Sequence, residues 1–313
     1  MRTCLVSLLT LVPLLHLAPA AHAHIGDVVY PFYELLDEDL DRIDLTDGSV
    51  EDWLEVLGEP SLTGADFYYP YSHYDPTNCD YRFWLAWHRR SGTLWVAMER
   101  FDDIYHNNYA GEISESGRRT MYRWDSYFSF LVDGDHSGGR YWYSLRNCGE
   151  ACGQEKAELL DNRQAQYWMA IAEASDGQQV AYEGVSDWVT REPYAAAGGG
   201  VVGATPAVTV TEMKVTPFDD LVYDDEAASV ASELYPGKII GFSIRTIDND
   251  ATEYSDGMGA KDHLWLSGRL KASRFANLFV DGLLVGAGQD PSQYDGASAA
   301  EPSSWARIKA SFR

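Results

Sequence analysis

Phe83-Trp84-Leu85-Ala86-Trp87-His88 and Leu94-Trp95-Val96-Ala97-Met98-Glu99 are two apolar runs separated by a turn at Ser91-Gly92. A third run, Tyr127 to Val132, leads into Asp133-Gly134-Asp135-His136-Ser137-Gly138-Gly139. Short apolar runs on either side of a glycine turn are typical of a β-hairpin. Strands that end in carboxylates and glycines place acidic loops at the edge of a sheet, where they can bind a hard cation or hydroxyl groups.

Further short runs repeat this pattern along the chain. Strands are predicted over Gln166 to Ala172, Val208 to Val215, Lys238 to Arg245 and Phe275 to Leu284, the last with a turn at Asp281-Gly282. Short helices are predicted over Tyr30 to Leu40 and Asp224 to Leu234, and a loop of small residues over Ala195 to Gly203. Repeated short strands with glycine turns predict an all-β fold, namely a two-sheet antiparallel β-sandwich of jelly-roll type with long loops and a few short helices.

The N-terminus has the pattern of an export signal. Arg2 precedes an apolar stretch from Leu5 to Leu17 that is too short to span a membrane, and Ala21-His22-Ala23 is a small-residue cleavage site. Residues 1–23 are therefore predicted to be removed, which leaves residues 24–40 as a lead-in and residues 41–288 as a single domain. Residues 289–313 are predicted to be a spacer and tail whose basic end could attach the protein to a cell surface.

The charge of the chain excludes some classes of partner. With 48 acidic against 24 basic residues, the net charge is −24, which argues against nucleic acid or an anionic membrane as a partner because both need a basic face. The same charge fits an exported protein that binds a cation or a neutral ligand such as a sugar. No apolar run after the export signal is long enough to be a transmembrane helix.

Three cysteines remain after the export signal. Cys148 and Cys152 could close a small disulfide loop in an oxidising compartment, and Cys79 could pair with either of them instead.

Several motifs occur in an order that resembles the family 9 carbohydrate-binding module and its relatives. They are Ile43-Asp44-Leu45-Thr46-Asp47-Gly48 with Glu51-Asp52-Trp53, the hairpin Phe83 to Glu99 closing on Asp102-Asp103, Asp125-Ser126-Tyr127 leading to Val132-Asp133-Gly134-Asp135, Val210-Thr211-Glu212 with Thr216-Pro217-Phe218, Pro236-Gly237 with Ile240-Gly241-Phe242 and Asp248-Asn249-Asp250, and Phe275-Ala276-Asn277-Leu278-Phe279. The resemblance covers roughly Asp41 to Leu284. It implies a β-sandwich that binds a polysaccharide or oligosaccharide. An insert at Tyr105 to Tyr122 and the segment Cys148 to Cys152 depart from the pattern.

Two acidic turns are candidate sites for a structural Ca²⁺. Asp133 with Asp135, and Asp248 with Asp250, each place two carboxylates two residues apart in a turn. The alternative for both is a turn closed by aspartate side chains without an ion.

Ten tryptophans and 20 tyrosines are a surplus of flat rings on which sugars can stack. Trp124, Trp142 and Trp265 lie beside polar loops and are candidate stacking residues, with Asp102 and Asp125 as carboxylates that bind sugar hydroxyls. Four tryptophans lie in apolar runs and are predicted to be core residues: Trp53, Trp84, Trp87 and Trp95.

No catalytic residue is predicted, since the sequence has no Gly-x-Ser-x-Gly, His-Glu-x-x-His or phosphate-loop motif. The sequence therefore favours an exported, non-catalytic protein that binds a glycan through aromatic and carboxylate or amide groups. The alternatives are a surface or structural β-sandwich protein that binds no sugar, and a secreted carbohydrate-active enzyme.

Overall fold

A computed structural model describes residues 28–69, 73–113, 119–137, 165–183, 186–222, 225–250, 261–266 and 279–294. The predicted export signal, Trp142, Cys148, Cys152 and the end of the tail lie outside these ranges. No helix of the described segments is long and apolar enough to cross a membrane.

Strands dominate the described part of the chain. They are β1 (Val29–Leu35), β2 (Leu62–Thr63), β3 (Cys79–His88), β4 (Thr93–Asp102), β5 (Tyr127–Asp133), β6 (Gln166–Ile171), β7 (Val180–Tyr182), β8 (Ala195–Gly203), β9 (Ala207–Val215), β10 (Phe218–Asp220), β11 (Val230–Ala231), β12 (Ile239–Asn249), β13 (Lys261–Trp265) and β14 (Val280–Val285). The α-helices are α1 (Asp37–Leu40) and α2 (Glu51–Leu57).

Twelve of these strands form one large mixed sheet. Its order is β7-β6-β5-β12-β14-β1-β3-β4-β9-β8, with β13 paired to β12 and β2 paired to β3, while β10 and β11 form a separate two-stranded sheet. Strand β1 runs parallel to both β14 and β3. Strands β6 and β7, near one end of the large sheet, contact β8 at its other end, so the sheet nearly closes on itself.

The prediction of an all-β fold is confirmed, but the described strands do not form two separate antiparallel sheets. Hydrogen bonding is continuous through the large sheet, and β1 introduces two parallel pairings. The reason lies at the N-terminus, where Tyr30 to Leu40 was expected to be helical. Only Asp37–Leu40 is helical, and Val29–Leu35 instead inserts between β14 and β3.

The main core lies between facing halves of the large sheet. Phe83 on β3 packs edge to face against Phe128 on β5, with ring centroids 6.0 Å apart. Phe32 on β1 and Phe242 on β12 pack in the same way at 4.8 Å. The four tryptophans predicted to be core residues are buried.

Strands β3 and β4 are buried on both faces, which explains their unbroken apolar sequence. Trp84 and Trp95 lie in a second cluster, with Trp53 of α2 above the outer face of the hairpin. A third cluster packs Tyr127, Tyr167 and Ile247 on the outer face of β5, β6 and β12.

Three local predictions were wrong. Ala195–Gly203 is strand β8, because pairing with β9 along its length outweighs the weak strand propensity of glycine. The segment Asp224 to Leu234 contains a three-residue 3-10 turn at Glu226–Ala228 and strand β11, with no α-helix among its described residues. Asp281 and Gly282 pair within β14 and form no turn. The strands predicted at Gln166, Val208 and Lys238 are confirmed as β6, β9 and β12.

Candidate functional site

Four buried charged residues meet where β4 and β12 end and β5 begins. We call Arg100, Asp102, Asp125 and Asp248 the Arg100 cluster. Arg100 Nη2 donates to Asp102 Oδ2 and, at 3.0 Å, to Asp125 Oδ1, and it lies 3.7 Å from Asp248 Oδ1. Arg100, Asp102 and Asp125 have no exposed surface, and Asp248 is 9% exposed.

Strand geometry brings these side chains together. Arg100 and Asp102 are two residues apart on β4, so they point to the same face of the sheet. That face looks across the core to β12, where the Ile247 carbonyl accepts a 2.8 Å hydrogen bond from Arg100 Nη1. The guanidinium also lies over the Tyr81 ring, 5.5 Å from its centroid. The cation is therefore held by oxygens and an aromatic face together.

Backbone amides fix the carboxylates. The N–H of Ile104 donates to Asp102 Oδ1 at 3.0 Å. Asp125 accepts from the N–H of His106 at 2.6 Å and from the N–H of Asn249 at 3.0 Å. The cluster therefore joins the polar loop after β4 to the end of β12.

The cluster contains more acid than base. Burial raises the pKa of Asp125 to about 8 and that of Asp248 to about 6, and it also raises the pKa of Asp102, while the charge of Arg100 opposes each shift. One guanidinium does not compensate three ionised carboxylates in a buried site. The site therefore favours the neutral form of at least one of the three carboxyls.

A partly exposed border surrounds the cluster, and we call it the rim. Asn78 Nδ2 donates to Asp248 Oδ2 at 2.6 Å, and the Tyr74 hydroxyl donates to Asp80 Oδ1 at 2.7 Å. The Tyr69 and Tyr74 rings lie 5.9 Å apart at 42°. The rim consists of Tyr69, Tyr74, Asn78, Asp103, His106 and Asp250. Half-buried rings next to fixed amide and carboxylate groups can bind a ligand with apolar faces and hydroxyl edges.

One group of possible metal ligands lies at the Arg100 cluster, but it includes the thiol of neighbouring Cys79 and so does not suit calcium. Cys79 Sγ and one oxygen each of Asp102 and Asp248 lie within 4.8 Å of one another. Calcium takes six to eight oxygen ligands and no thiol. A guanidinium that already donates to Asp102 also repels a second cation. Asp248 faces Arg100, and Asp250 is exposed at the rim, where its charge still acts on Asp248; calcium binding by this pair stays a prediction.

The other predicted calcium turn is closed by its own backbone. The N–H of Ser137 donates to Asp133 Oδ1 at 3.1 Å and to Asp135 Oδ1 at 3.0 Å. His136 Nε2 lies 3.0 Å from Asp281 Oδ1. These contacts match the aspartate-turn alternative, and calcium binding at this turn stays a prediction.

The structure describes two of the three candidate stacking tryptophans. Trp124 is 7% exposed and packs in the outer cluster of β5 and β6, where its indole N–H lies 3.5 Å from Glu112 Oε2. Trp265 ends β13 and pairs with Arg245. Trp142 lies outside the described ranges. Asp102 and Asp125 do come together, but both are buried and cannot themselves contact a large ligand.

Sequence reasoning missed Arg100 and the rim tyrosines. An arginine two residues before an aspartate in an otherwise apolar strand is a signal for a buried ion pair, and Arg100-Phe101-Asp102 has that pattern. Tyr69 and Tyr74 lie in a tyrosine-rich loop whose approach to Asp80 and Asp248 depends on the fold.

No family model matches this chain, and no curated protein matches it. Among solved structures, the chain is similar to a carbohydrate binding module family 9 from Caldicellulosiruptor kristjanssonii in complex with glucose, at 12% identity and a TM-score of 0.48, over 83% of this chain and 98% of that one. A carbohydrate binding module family 9 from the same organism in complex with cellotriose gives 11% identity and a TM-score of 0.46, over 84% of this chain and 96% of that one. Likeness at this level assigns neither a family nor a ligand to the chain.

Proposed function

We propose that this chain is an exported, non-catalytic protein that binds a neutral polysaccharide or oligosaccharide at the rim of the Arg100 cluster. The observation that carries the proposal is the position of the rim: half-buried Tyr69 lies near enough to Asp248 for its charge to act on the Tyr69 hydroxyl, and Asp248 accepts from the Asn78 amide and faces Arg100. Preorganised polar groups beside flat rings are what a sugar needs, since its ring faces are apolar and its edges carry hydroxyls.

Two further features support this reading. The net charge of −24 disfavours anionic ligands. Asp125, whose pKa burial raises to about 8, has no exposed surface and is not placed to exchange a proton with a bound ligand. Buried acids of this kind support the site without acting on the ligand.

Binding should be measured by isothermal titration calorimetry and affinity electrophoresis against a panel of neutral glycans that includes glucose and cellotriose. Tyr74→Ala should weaken binding by about 2- to 10-fold, the equivalent of losing one stacking contact of roughly 0.5–1.5 kcal/mol. Asp250→Asn tests the exposed carboxylate of the rim, and Asp135→Asn in the distant turn is the matched control.

Each result decides between the functions under consideration. Binding that both rim variants weaken and the control does not would support the proposal. No binding across the panel would favour a surface or structural protein, and turnover of a bound glycan would favour an enzyme. Calcium at Asp133 and Asp135, or at Asp248 and Asp250, is a separate prediction, which would be wrong if Asp135→Asn and Asp250→Asn leave the number of bound ions unchanged.

A further inference from the structure

An apolar face of the large sheet extends past the helix that covers it. This is the outer face of β4, β9 and β8, opposite to the face that carries the Arg100 cluster. Trp53 of α2 packs with Val210 of β9 in one buried cluster on the outer face. Two residues along β9, Val208 is 38% exposed, and Val202 on neighbouring β8 is 72% exposed. The outer face is therefore open to solvent at this end of the strands.

Strand register places three apolar side chains next to one another on this open face. Val202 on β8 pairs with Val208 on β9, which in turn pairs with Phe101 on β4. Directly opposite residues of antiparallel strands point to the same face and lie about 5 Å apart. Phe101 is partly exposed, like Val208. We call Val202, Val208 and Phe101 the outer row.

The outer row leads to a tyrosine of the rim. Phe101 pairs with Asp80 on β3, so the Asp80 side chain follows Phe101 on the same face. The Tyr74 hydroxyl donates to Asp80 Oδ1 at 2.7 Å, and the Tyr74 ring lies 5.9 Å from that of Tyr69. The path from β8 to β3 crosses three strand spacings, which is about 14 Å. A continuous row of side chains thus joins the edge of the sheet to the rim.

The two strands at the edge of the outer row carry very little charge. The sequence has no acidic or basic residue between Glu192 and Glu212, although the net charge of the chain is −24. Two copies of so acidic a chain repel each other, which disfavours a second copy as the occupant of the row. A neutral ligand with apolar faces and hydroxyl edges fits both the uncharged row and the polar groups where the row meets the rim.

We propose that the outer row extends the rim into a binding surface for a neutral saccharide chain of several units. The first units lie at the rim beside Tyr74, and later units cross β4, β9 and β8, with their apolar ring faces against the three side chains of the row. This inference rests on the proposed function, because it takes the rim as the place where the saccharide is held. It narrows the ligand class to a chain, which binds more tightly than a single sugar.

The test measures how affinity depends on the length of the saccharide. Isothermal titration calorimetry is carried out with chains of one, three and six units in three series, built from glucose, xylose and mannose. Val202→Asp places a charge on the most exposed residue of the row. The matched control is Val230→Asp, since Val230 is a 53% exposed valine in the separate sheet of β10 and β11. Val208→Thr keeps a branched side chain of the same shape and serves if Val202→Asp fails to fold. Light scattering after size exclusion reports whether the protein self-associates.

In a series that binds, the wild type should hold six units at least about tenfold more tightly than one unit. Val202→Asp should remove most of this gain and leave the affinity for the single sugar unchanged, whereas Tyr74→Ala should weaken binding at every length. Val230→Asp should match the wild type.

Three results would overturn the inference, and they differ in what they leave standing. Equal affinity for all lengths, or a gain that neither Val202→Asp nor Val208→Thr reduces, would remove the outer row and leave binding at the rim intact. A dimer that Val202→Asp dissociates would assign the row to a second copy of the chain. Absence of binding in all three series would overturn the rim site together with its extension.

Discussion

Replacing Arg100 by methionine is the sharpest test of the buried ion network. Methionine fills a similar volume without charge, so the change isolates electrostatics from packing. It leaves Asp102, Asp125 and Asp248 without the guanidinium that contacts all three. Removing one partner of a fully buried ion pair costs about 3–5 kcal/mol. We expect a loss of this size in the free energy of unfolding at pH 8.

The loss should depend on pH in a defined direction. A carboxyl whose pKa is raised in the folded state binds protons more tightly when folded, so its contribution to stability is complete below the unfolded pKa of about 4 and falls as pH rises toward the folded pKa. Asp125 and Asp248 already behave this way, with pKa values of about 8 and about 6. Without Arg100 these pKa values rise further, so the folded variant holds more protons than its unfolded chain over a wider range of pH. Each extra proton lowers the variant's free energy of unfolding by about 1.4 kcal/mol for every unit by which the pH rises. The difference from the wild type should therefore be smallest near pH 5.

The assay is urea unfolding followed by fluorescence at pH 5, 6, 7 and 8 with chelator present. The matched control is Arg245→Met, which removes another buried guanidinium. Arg245 donates to the Tyr167 hydroxyl at 3.2 Å, lies over the Tyr122 ring and is acted on by the charge of one carboxylate, Glu183. The loss for Arg245→Met should vary with pH less than that for Arg100→Met, because Arg100 contacts three carboxyls. A loss for Arg100→Met that is constant with pH, or smaller than about 1 kcal/mol at pH 8, would refute the electrostatic account.

Three further predictions concern other parts of the structure, and they are checked by urea unfolding, by thermal melting and by alkylation of cysteines. Gly198→Ala should lower the free energy of unfolding by more than about 2 kcal/mol because its Cβ would meet the Leu45 backbone, whereas Gly92→Ala, with open space and only a positive φ, should lower it by about 1 kcal/mol; equal losses would contradict the close approach. A fragment of residues 24–195 should give no cooperative melt, because it lacks β12 and β14, which join β5 to β1; a cooperative melt would contradict this. Cys79 is buried and should resist alkylation until the protein unfolds, while the predicted Cys148–Cys152 disulfide should keep both thiols blocked until reduction.

The apolar runs were enough to locate most of the interior strands. The hairpin β3–β4 was predictable from Phe83 to Glu99, because both runs are apolar and a glycine turn separates them. The large size of the core was also predictable, since Trp84, Trp87 and Trp95 lie inside those runs. These features depend on local sequence alone.

The order of the strands was not predictable in the same way. Val29–Leu35 carries no strong strand signal, and its position depends on partners that lie about 50 and 250 residues away. Strand β8 was missed because its glycines have low strand propensity. Their role is to let Asp44–Gly48 approach the sheet closely, as at Gly198, and such a contact between distant segments leaves no local pattern.

The candidate site was likewise predictable from the sequence only in part. The acids Asp102, Asp125 and Asp248 were identified from the ends of apolar runs, and the fold brings all three together. Their roles were not predictable, because the sequence does not show that they are buried around one arginine. The rim depends on Tyr69 and Tyr74, which come from a loop with no strand pattern of its own.

Both faces of the β4–β9 pair bury carboxylates, and the charge of these groups is compensated differently on each face. On the core face, buried carboxylates are compensated by Arg100 and by backbone amides, and burial raises their pKa values toward the neutral form. On the outer face, Glu212 receives one indole N–H while the neighbouring aspartates add negative charge. Because no described basic group donates to Glu212, its compensation must come from a proton or from an ion in solution. Burial and the charges of the neighbouring aspartates raise the pKa of Glu212 to about 8, so the outer face favours the neutral acid, whereas the core face keeps its arginine and its carboxylates together.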